Sequence, residues 1–378
     1  MPSRITSRAL AAVILFLPLT GALSQAAAKP AVEVAFVLDT TGSMSGLLEG
    51  AKRKIWSIAT TIVDTNPDAD IRMGLVAYRD IGDDYVTKTF DLTTDIQDVY
   101  ANLLELKARG GGDWPESVNE ALDVAVNKMK WTEGAETRRI VFLVGDAPPH
   151  MDYQQDTKYP VTLKVAKQKD IIVNAVLAGT ARDTERVWRE IAQGGNGRFI
   201  PIPQDGGEIV VIETPFDEEI IILQKQINGT VIPYGNRATQ KRVEDRTRQL
   251  SSVAAAAPSS ATEMASYLNK RSVVAGEAVT GGGDLVADVA TGRQKVASLK
   301  DDDLPDDLRK LSAEERQKTV EKQVGTRKLL NEKLAALVAK RDKYVADEKA
   351  KAQAKAPAKP VSSFDRVVED TLKAQLKR

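Results

Sequence analysis

The chain is predicted to be an α/β protein with a doubly wound, mostly parallel sheet, followed by a mainly α-helical C-terminal region. Three observations predict this. From Ala31 to about Thr230, short β-branched runs alternate with segments of helical period. The runs are nearly continuous in apolar residues, as strands covered on both faces require. After about Asn236 the strand-like runs stop and charged, Ala-rich sequence takes over.

The elements follow in order. Val32–Leu38, bounded by Pro30 and Asp39, predicts a buried strand. Leu47, Leu48, Ala51, Ile55, Ile58 and Ile62 share one face of a helix over 47–63. Ile71–Tyr78 predicts a second strand, and Val86–Phe90 alternates like an edge strand. Helices are expected over about 95–107 and 116–129. Arg139–Val144 and Ile171–Leu177 predict further strands, with a helix near 183–193 after them. Phe199-Ile200 opens a last strand, and Glu218–Ile227 a last helix of this part. Strands joined through helices imply right-handed crossovers. In such sheets ligands sit at the carboxyl ends of strands, where the strand order reverses.

Residues 1–28 predict a signal peptide. Arg4 and Arg8 precede an apolar stretch, Ala9–Leu23, that is short for a membrane span, and small residues at 24–28 offer a cleavage point. Residues 29–233 form the α/β domain, and 234–300 a linker and helical segment in which Ser251–Ser260 is rich in Ala, Ser and Pro and Gly281-Gly282-Gly283 is a further break. Residues 301–347 are a charged helical region, with Leu330, Leu334, Leu337, Val338 and Val345 on one stripe interrupted by Arg327 and Arg341. Residues 348–361 are a Lys/Ala/Pro-rich, disordered linker. Residues 362–378 form a short amphipathic helix on Phe364, Val368, Leu372 and Leu376, with Ser362 and Asp365 spaced as a capping box.

Composition removes several functions. Lys+Arg and Asp+Glu are each 53, and this zero balance argues against nucleic-acid or anionic-membrane binding. Cys is absent and His occurs once, so disulfides, thiolate catalysis and Cys/His zinc sites are excluded. What remains is oxygen chemistry from carboxylates, hydroxyls and carbonyls.

Three loops carry that chemistry. The first strand ends in Asp39-Thr40-Thr41-Gly42-Ser43, which places a carboxylate and two hydroxyls at i, i+2 and i+4. Hard oxygen ligands in that spacing suit Mg²⁺, Mn²⁺ or Ca²⁺; helix capping by Thr41 and Ser43 is the alternative. The second loop is Gly110-Gly111-Gly112-Asp113-Trp114-Pro115-Glu116, where Asp113 is either a ligand or an N-cap in a capping box with Glu116. The third is Gly145-Asp146-Ala147-Pro148-Pro149-His150, where Asp146 at a strand end is either a ligand or the head of an Asx-turn. Three carboxylates and two hydroxyls in one cleft repel unless a cation joins them. His150 is expected at the rim, with a base or gate as the alternative, Arg79 and Asp80 as a surface ion pair, with flanking the site as the alternative, and Asn228-Gly229-Thr230 as a chance sequon.

Over residues 31 to about 230 the chain resembles the von Willebrand factor A family with its metal-ion-dependent adhesion site, in a form exported by bacteria. The resemblance rests on Asp39-Thr40-Thr41-Gly42-Ser43, with Thr41 in place of the family's Ser, on Asp113 where the family usually has Thr, and on Asp146. It implies a Rossmann-like sheet of order 3-2-1-4-5-6. It also implies a divalent cation, Mg²⁺ first and Mn²⁺ or Ca²⁺ next, held by Asp39, Thr41, Ser43, Asp113 and Asp146.

The expected function is metal-dependent protein binding, adhesive or scaffolding, in which the cation grips an Asp or Glu carboxylate of a partner. Two alternatives stand beside it. The metal could be purely stabilising, with the C-terminal helices as the interaction element, or it could activate water for hydrolysis. No general base stands apart from the ligands, so no enzyme activity is expected. The mature chain is expected to be exported, periplasmic or secreted, without a transmembrane helix. Neither the oligomeric state nor the partner follows from the sequence.

Overall fold

The computed structural model describes residues 30–207, 212–256, 258–275, 282–355 and 363–377. The expected signal peptide and Ser362 lie outside these residues. The sheet strands are β1 (Ala31–Asp39), β2 (Asp70–Tyr78), β3 (Thr87–Thr93), β4 (Thr137–Gly145), β5 (Ile171–Ala178) and β6 (Asn196–Ile202). Their order is β3-β2-β1-β4-β5-β6, and only the edge strand β3 runs antiparallel. This is the doubly wound sheet the sequence predicts, with its switch point between β1 and β4.

Strand alternation divides the core in two. Val32, Val34, Phe36 and Leu38 face one layer, while Ala35 and Val37 face the other. The first layer holds α1 (Ser45–Thr65) and α2 (Ile96–Glu105). The second holds α3 (Val118–Asp123) with a π-helical turn at Val124–Lys128, α4 (Tyr159–Gln168) and α5 (Arg182–Gly194). The sequence reading assigns no helix between β4 and β5. There α4 forms on a stripe of only Tyr159, Thr162, Leu163 and Ala166, too weak a periodicity to stand out among its lysines.

The C-terminal region is mainly helical, as the sequence predicts, and helices also occupy most of Ser251–Ser260, which was expected as a linker. After α6 (Asp217–Asn228), α7 (Arg237–Ala256) and α8 (Pro258–Ala275) run through most of the Ala/Ser/Pro-rich stretch. Pro258 sits at a helix start, where its missing N–H is harmless. Two short helices, α9 (Leu285–Ala290) and α10 (Asp306–Arg309), lead to α11 (Ala313–Lys355), which extends into the expected disordered linker. Its apolar stripe, Leu334, Leu337 and Val338, packs on Ile220, Leu223 and Ile227 of α6 and Ala265 of α8. The two arginines that interrupt the stripe are buried with partners. Arg327 bonds to Asp284 at 2.5 Å and to the Thr230 hydroxyl at 2.6 Å, and Arg341 reaches Asp217 at 3.2 Å. The helix therefore serves as one wall of a helical layer.

The last helix, α12 (Phe364–Leu376), returns to the sheet domain. Phe364, Val368, Leu372 and Leu376 belong to the same core as Phe36, Ile58 and Val176. The Phe364 amide donates to the Gly206 carbonyl at 2.8 Å, just where the chain leaves the sheet domain. Gln375 and the buried Asn174 of β5 exchange two side-chain hydrogen bonds of 2.8 and 3.0 Å. The Ser57 hydroxyl of α1 donates to Glu369 at 2.5 Å. The α/β domain is thus discontinuous: α6 to α11 form an insertion between β6 and the helix that closes its first layer.

Two outcomes follow for stability. Leu372→Ala should lower the stability of the α/β domain by about 2–5 kcal/mol in denaturant melts, as for a buried core leucine; a loss below about 0.5 kcal/mol would show α12 to be an appendage. Asp284→Ala should cost about 3–5 kcal/mol by stranding the Arg327 guanidinium, whereas Arg341→Ala, at a more open pair, should cost less.

Candidate metal centre

The site forms where β1, β2 and β4 end together. Asp39 pairs in register with Tyr78, and Leu38 with Val144, so Asp39 and Gly145-Asp146 leave the sheet side by side. Behind Asp39 the chain makes a short 3-10 turn, Gly42–Met44, into α1. Thr41 donates both its amide (2.8 Å) and its hydroxyl (2.7 Å) to Asp39 Oδ1, and lies 3.4 Å from the Ser43 hydroxyl. Neither hydroxyl caps the helix, which removes the main competing role. Asp39 Oδ2 is buried and has no hydrogen-bond partner. Burial, reinforced by Asp146 and Asp83 and opposed by the Thr41 bonds, raises the Asp39 carboxyl to about 7.

The glycine loop closes over this turn. Gly42 N–H donates to Gly110 carbonyl at 3.2 Å, and Gly111 N–H to Asp83 at 3.1 Å. Gly110 has φ +80°, and a Cβ there would sit 2.1 Å from the Asp83 carboxylate, so only glycine fits. The carboxylate this loop brings to Asp39 is Glu116. Glu116 is buried and its Oε2 is unpartnered. Burial, with Asp39, Asp80, Asp83 and Asp146 around it, pushes its carboxyl up to about 9. Asp146 is also buried and accepts from the Gln204 amide at 2.5 Å. Ser43, in contrast, is exposed, so the pocket opens to solvent on the hydroxyl side.

Asp113 lies elsewhere. Its side chain is 61% exposed, and it reaches His150 Nε2 at 3.6 Å. It does not cap α3 either; Ser117 holds that position, and its hydroxyl donates to Asp80 at 2.8 Å. In sequence Glu116 is only a capping partner of Asp113, and no local signal marks its burial, since an acidic residue ahead of a helix is ordinary. Nor are Arg79 and Asp80 a surface pair. Both are buried: Arg79 donates to the Thr40 and Lys107 carbonyls, and Asp80 accepts from Ser117 and Tyr153. His150 is buried as well.

Glu116 thus senses the charges of Asp39 and Asp146, and the Thr41 and Ser43 hydroxyls stand beside Asp39, a group of oxygen donors at the strand ends. Two of its buried carboxylate oxygens have no donor. That donor set fits a hard divalent cation.

The raised carboxyls give the cation-free protein a definite pH dependence. Between the unfolded value near 4 and the folded values, the folded state binds more protons than the unfolded one, so stability falls as pH rises. In chelator, raising pH from 5 to 8 should cost on the order of 3 kcal/mol through the Asp39 carboxyl alone. Asp39→Asn should flatten this slope in chemical denaturation, and a slope equal to that of the unsubstituted protein would contradict the assignment.

Residues 33–206 match the family model described as von Willebrand factor A domain. Over 123 residues the chain is 33% identical to an ariadne-like RING finger protein of Acanthamoeba polyphaga mimivirus, covering 32% of this chain and 11% of that one. Over 126 residues it is 29% identical to the alpha-protein kinase vwkA of Dictyostelium discoideum, covering 32% and 19%. The matched segments thus span only about a tenth to a fifth of these relatives. Among solved structures, similar chains include the conserved hypothetical protein BatB from Bacteroides thetaiotaomicron, at 18% identity and TM-score 0.33 over 46% of this chain and 89% of that one. The SpRpn10 VWA domain is another, at 15% identity and TM-score 0.36 over 47% and 89%. The matched region coincides with the six-stranded sheet and the loops of the site, and this part of the chain has the fold of a von Willebrand factor A domain.

Proposed function

We propose that the protein is an exported, non-enzymatic binding module that holds a partner protein through a divalent cation. One observation carries the reading: Asp39 Oδ2 and Glu116 Oε2 are buried without a donor, beside the Thr41 and Ser43 hydroxyls. Asp39, Thr41, Ser43, Glu116 and Asp146 would hold the cation, with Mg²⁺ first and Mn²⁺ or Ca²⁺ next. When bound, the cation supplies a positive centre for an Asp or Glu carboxylate of the partner. The exposure of Ser43 supports access from that side. The three inner carboxylates are all acceptors with no separate base among them, which supports binding over hydrolysis. Export rests on the apolar leader at 1–28, and no helix of the described residues is long and apolar enough to cross a membrane.

A second reading has its own support. Asp39, Glu116 and Asp146 are each at most 4% exposed, so the cation could act only as a staple.

Calorimetric titration of Mg²⁺, Mn²⁺ and Ca²⁺ into the protein separates these readings. Binding should be lost in Asp39→Ala and weakened in Glu116→Gln, while Asp113→Asn should leave it intact. If a captured partner stays bound in chelator while stability falls, the cation is a staple. If no cation binds to the unsubstituted protein, both readings fail.

A further inference from the structure

The single imidazole of the chain stands at a second cluster, which shares the glycine loop and the loop after β4 with the first but takes its third residue from the loop after β2. Asp80 follows β2, Asp113 lies in the glycine loop, and His150 follows Pro148-Pro149 after β4. Backbone bonds lock these loops together. Glu116 N–H donates to the Pro148 carbonyl at 2.9 Å, His150 N–H to the Glu116 carbonyl at 3.1 Å, and Ser117 N–H to the Arg79 carbonyl at 3.1 Å. One potential ligand atom from each of Asp80, Asp113 and His150 falls within 4.8 Å of the other two.

The imidazole is oriented from behind. His150 Nδ1 lies 2.9 Å from Asp152 Oδ1, so Nδ1 carries the hydrogen of that bond. In the neutral ring this leaves the lone pair on Nε2. His150 is 95% buried, at 5% exposure, and Nε2 makes no hydrogen bond. It points between two carboxylate oxygens, Asp80 Oδ2 at 3.5 Å and Asp113 Oδ2 at 3.6 Å. Three lone-pair donors face one another there. The Asp80 carboxylate is fixed in turn: Tyr153 donates to Oδ2 and Ser117 to Oδ1, both at 2.8 Å, and the Tyr153 ring stacks on the imidazole at 3.9 Å. Hydrogen bonds from outside that aim each ligand inward are how metal sites are usually supported.

We propose that Asp80, Asp113 and His150 form a second cation site, for a borderline first-row metal such as Zn²⁺, separate from the oxygen donors at Asp39. The spacing supports a tetrahedral ion. Bonds of about 2.0–2.1 Å put tetrahedral ligands about 3.4 Å apart, close to the two distances from Nε2. Octahedral Mg²⁺ at similar bond lengths would bring neighbouring ligands to about 3.0 Å. An imidazole nitrogen with two carboxylates also favours Zn²⁺ or Co²⁺ over Mg²⁺ and Ca²⁺. Asp113 is largely exposed, so the fourth position faces solvent and is open to water or a partner group.

The test is titration of Co²⁺, a spectroscopic substitute for Zn²⁺, into full-length Asp39→Asn protein stripped with chelator. That background disables the first pocket, so the two sites fail separately. The expected result is one equivalent of tightly bound Co²⁺ with the strong visible absorption of a tetrahedral centre, bleached by Zn²⁺ and unaffected by excess Mg²⁺. His150→Gln should abolish the absorption. Asp152→Asn, at an exposed position that leaves the fold alone, should weaken Co²⁺ by about tenfold. Absence of the absorption in Asp39→Asn protein overturns the proposal, as does its persistence in His150→Gln. In either case the imidazole is a protonated bridge between two carboxylates, and the first pocket is unaffected.

Discussion

Asp39 is a carboxylate carried to full burial by the central strand of the sheet, and most of the local architecture answers to that. A buried carboxylate without compensation costs several kcal/mol, and Thr41 satisfies only one of its oxygens. Glu116 and Asp146 then raise the local negative charge instead of relieving it. Arginine does not neutralise the pocket: Arg79 is buried nearby, but its donors go to two backbone carbonyls and to Asp84. The sheet topology concentrates acceptors at one point and leaves the positive charge to come from elsewhere. A cleft of this kind is organised for a ligand and holds its strain through the rigidity of the strands beneath it.

That rigidity depends on a helix far away in sequence. With α12 absent, the apolar groups of β5 and β6 facing the first layer would lose their cover, since that layer otherwise holds α1, α2 and part of α8. The helical insertion is tied to the sheet domain by side chains as well as by the return of the chain. Lys54 of α1 meets Glu263 of α8 at 3.3 Å and Asp365 of α12 at 3.9 Å, at a junction of all three helices. Arg246 of α7 pairs with Asp95 and Asp98 at the start of α2. Charged residues that look like a solvated surface in sequence are therefore the contacts between layers.

The α/β class, the order of strand-like runs and the Asp39-Thr41-Ser43 turn were legible in the sequence because each is local. Strand and helix periods appear within ten residues, and a strand-end Asp followed by alternate hydroxyls keeps its geometry whatever surrounds it. Asp146 was legible for the same reason, as it follows a buried strand directly. Which carboxylate of the glycine loop turns inward is not a local property. Asp113 and Glu116 are three residues apart, and the choice falls to Glu116 because its backbone is pinned to Pro148 and His150 on the next loop. Ser251–Ser260 reads as a linker because Ala and Ser mark no apolar stripe, although α8 gains a buried face by packing against α1 and α11.

Sequence by itself determined the kind of chemistry open to this protein, since an absence of Cys and a single His confine it to oxygen ligands and one imidazole. It also determined the fold of residues 31–202, through apolar periodicity that only a two-sided parallel sheet can bury. Tertiary structure alone decided how the acidic residues group. Loops that are separate in the chain meet at the ends of the strands, where Asp80, Asp113 and His150 cluster beside Glu116, whose carboxyl is raised by both Asp39 and Asp80. It also decided that the final helix belongs to the first domain. The physical reason is common to both: side-chain charge and apolar area act through space, and their balance is struck only after the strands have set which residues are neighbours.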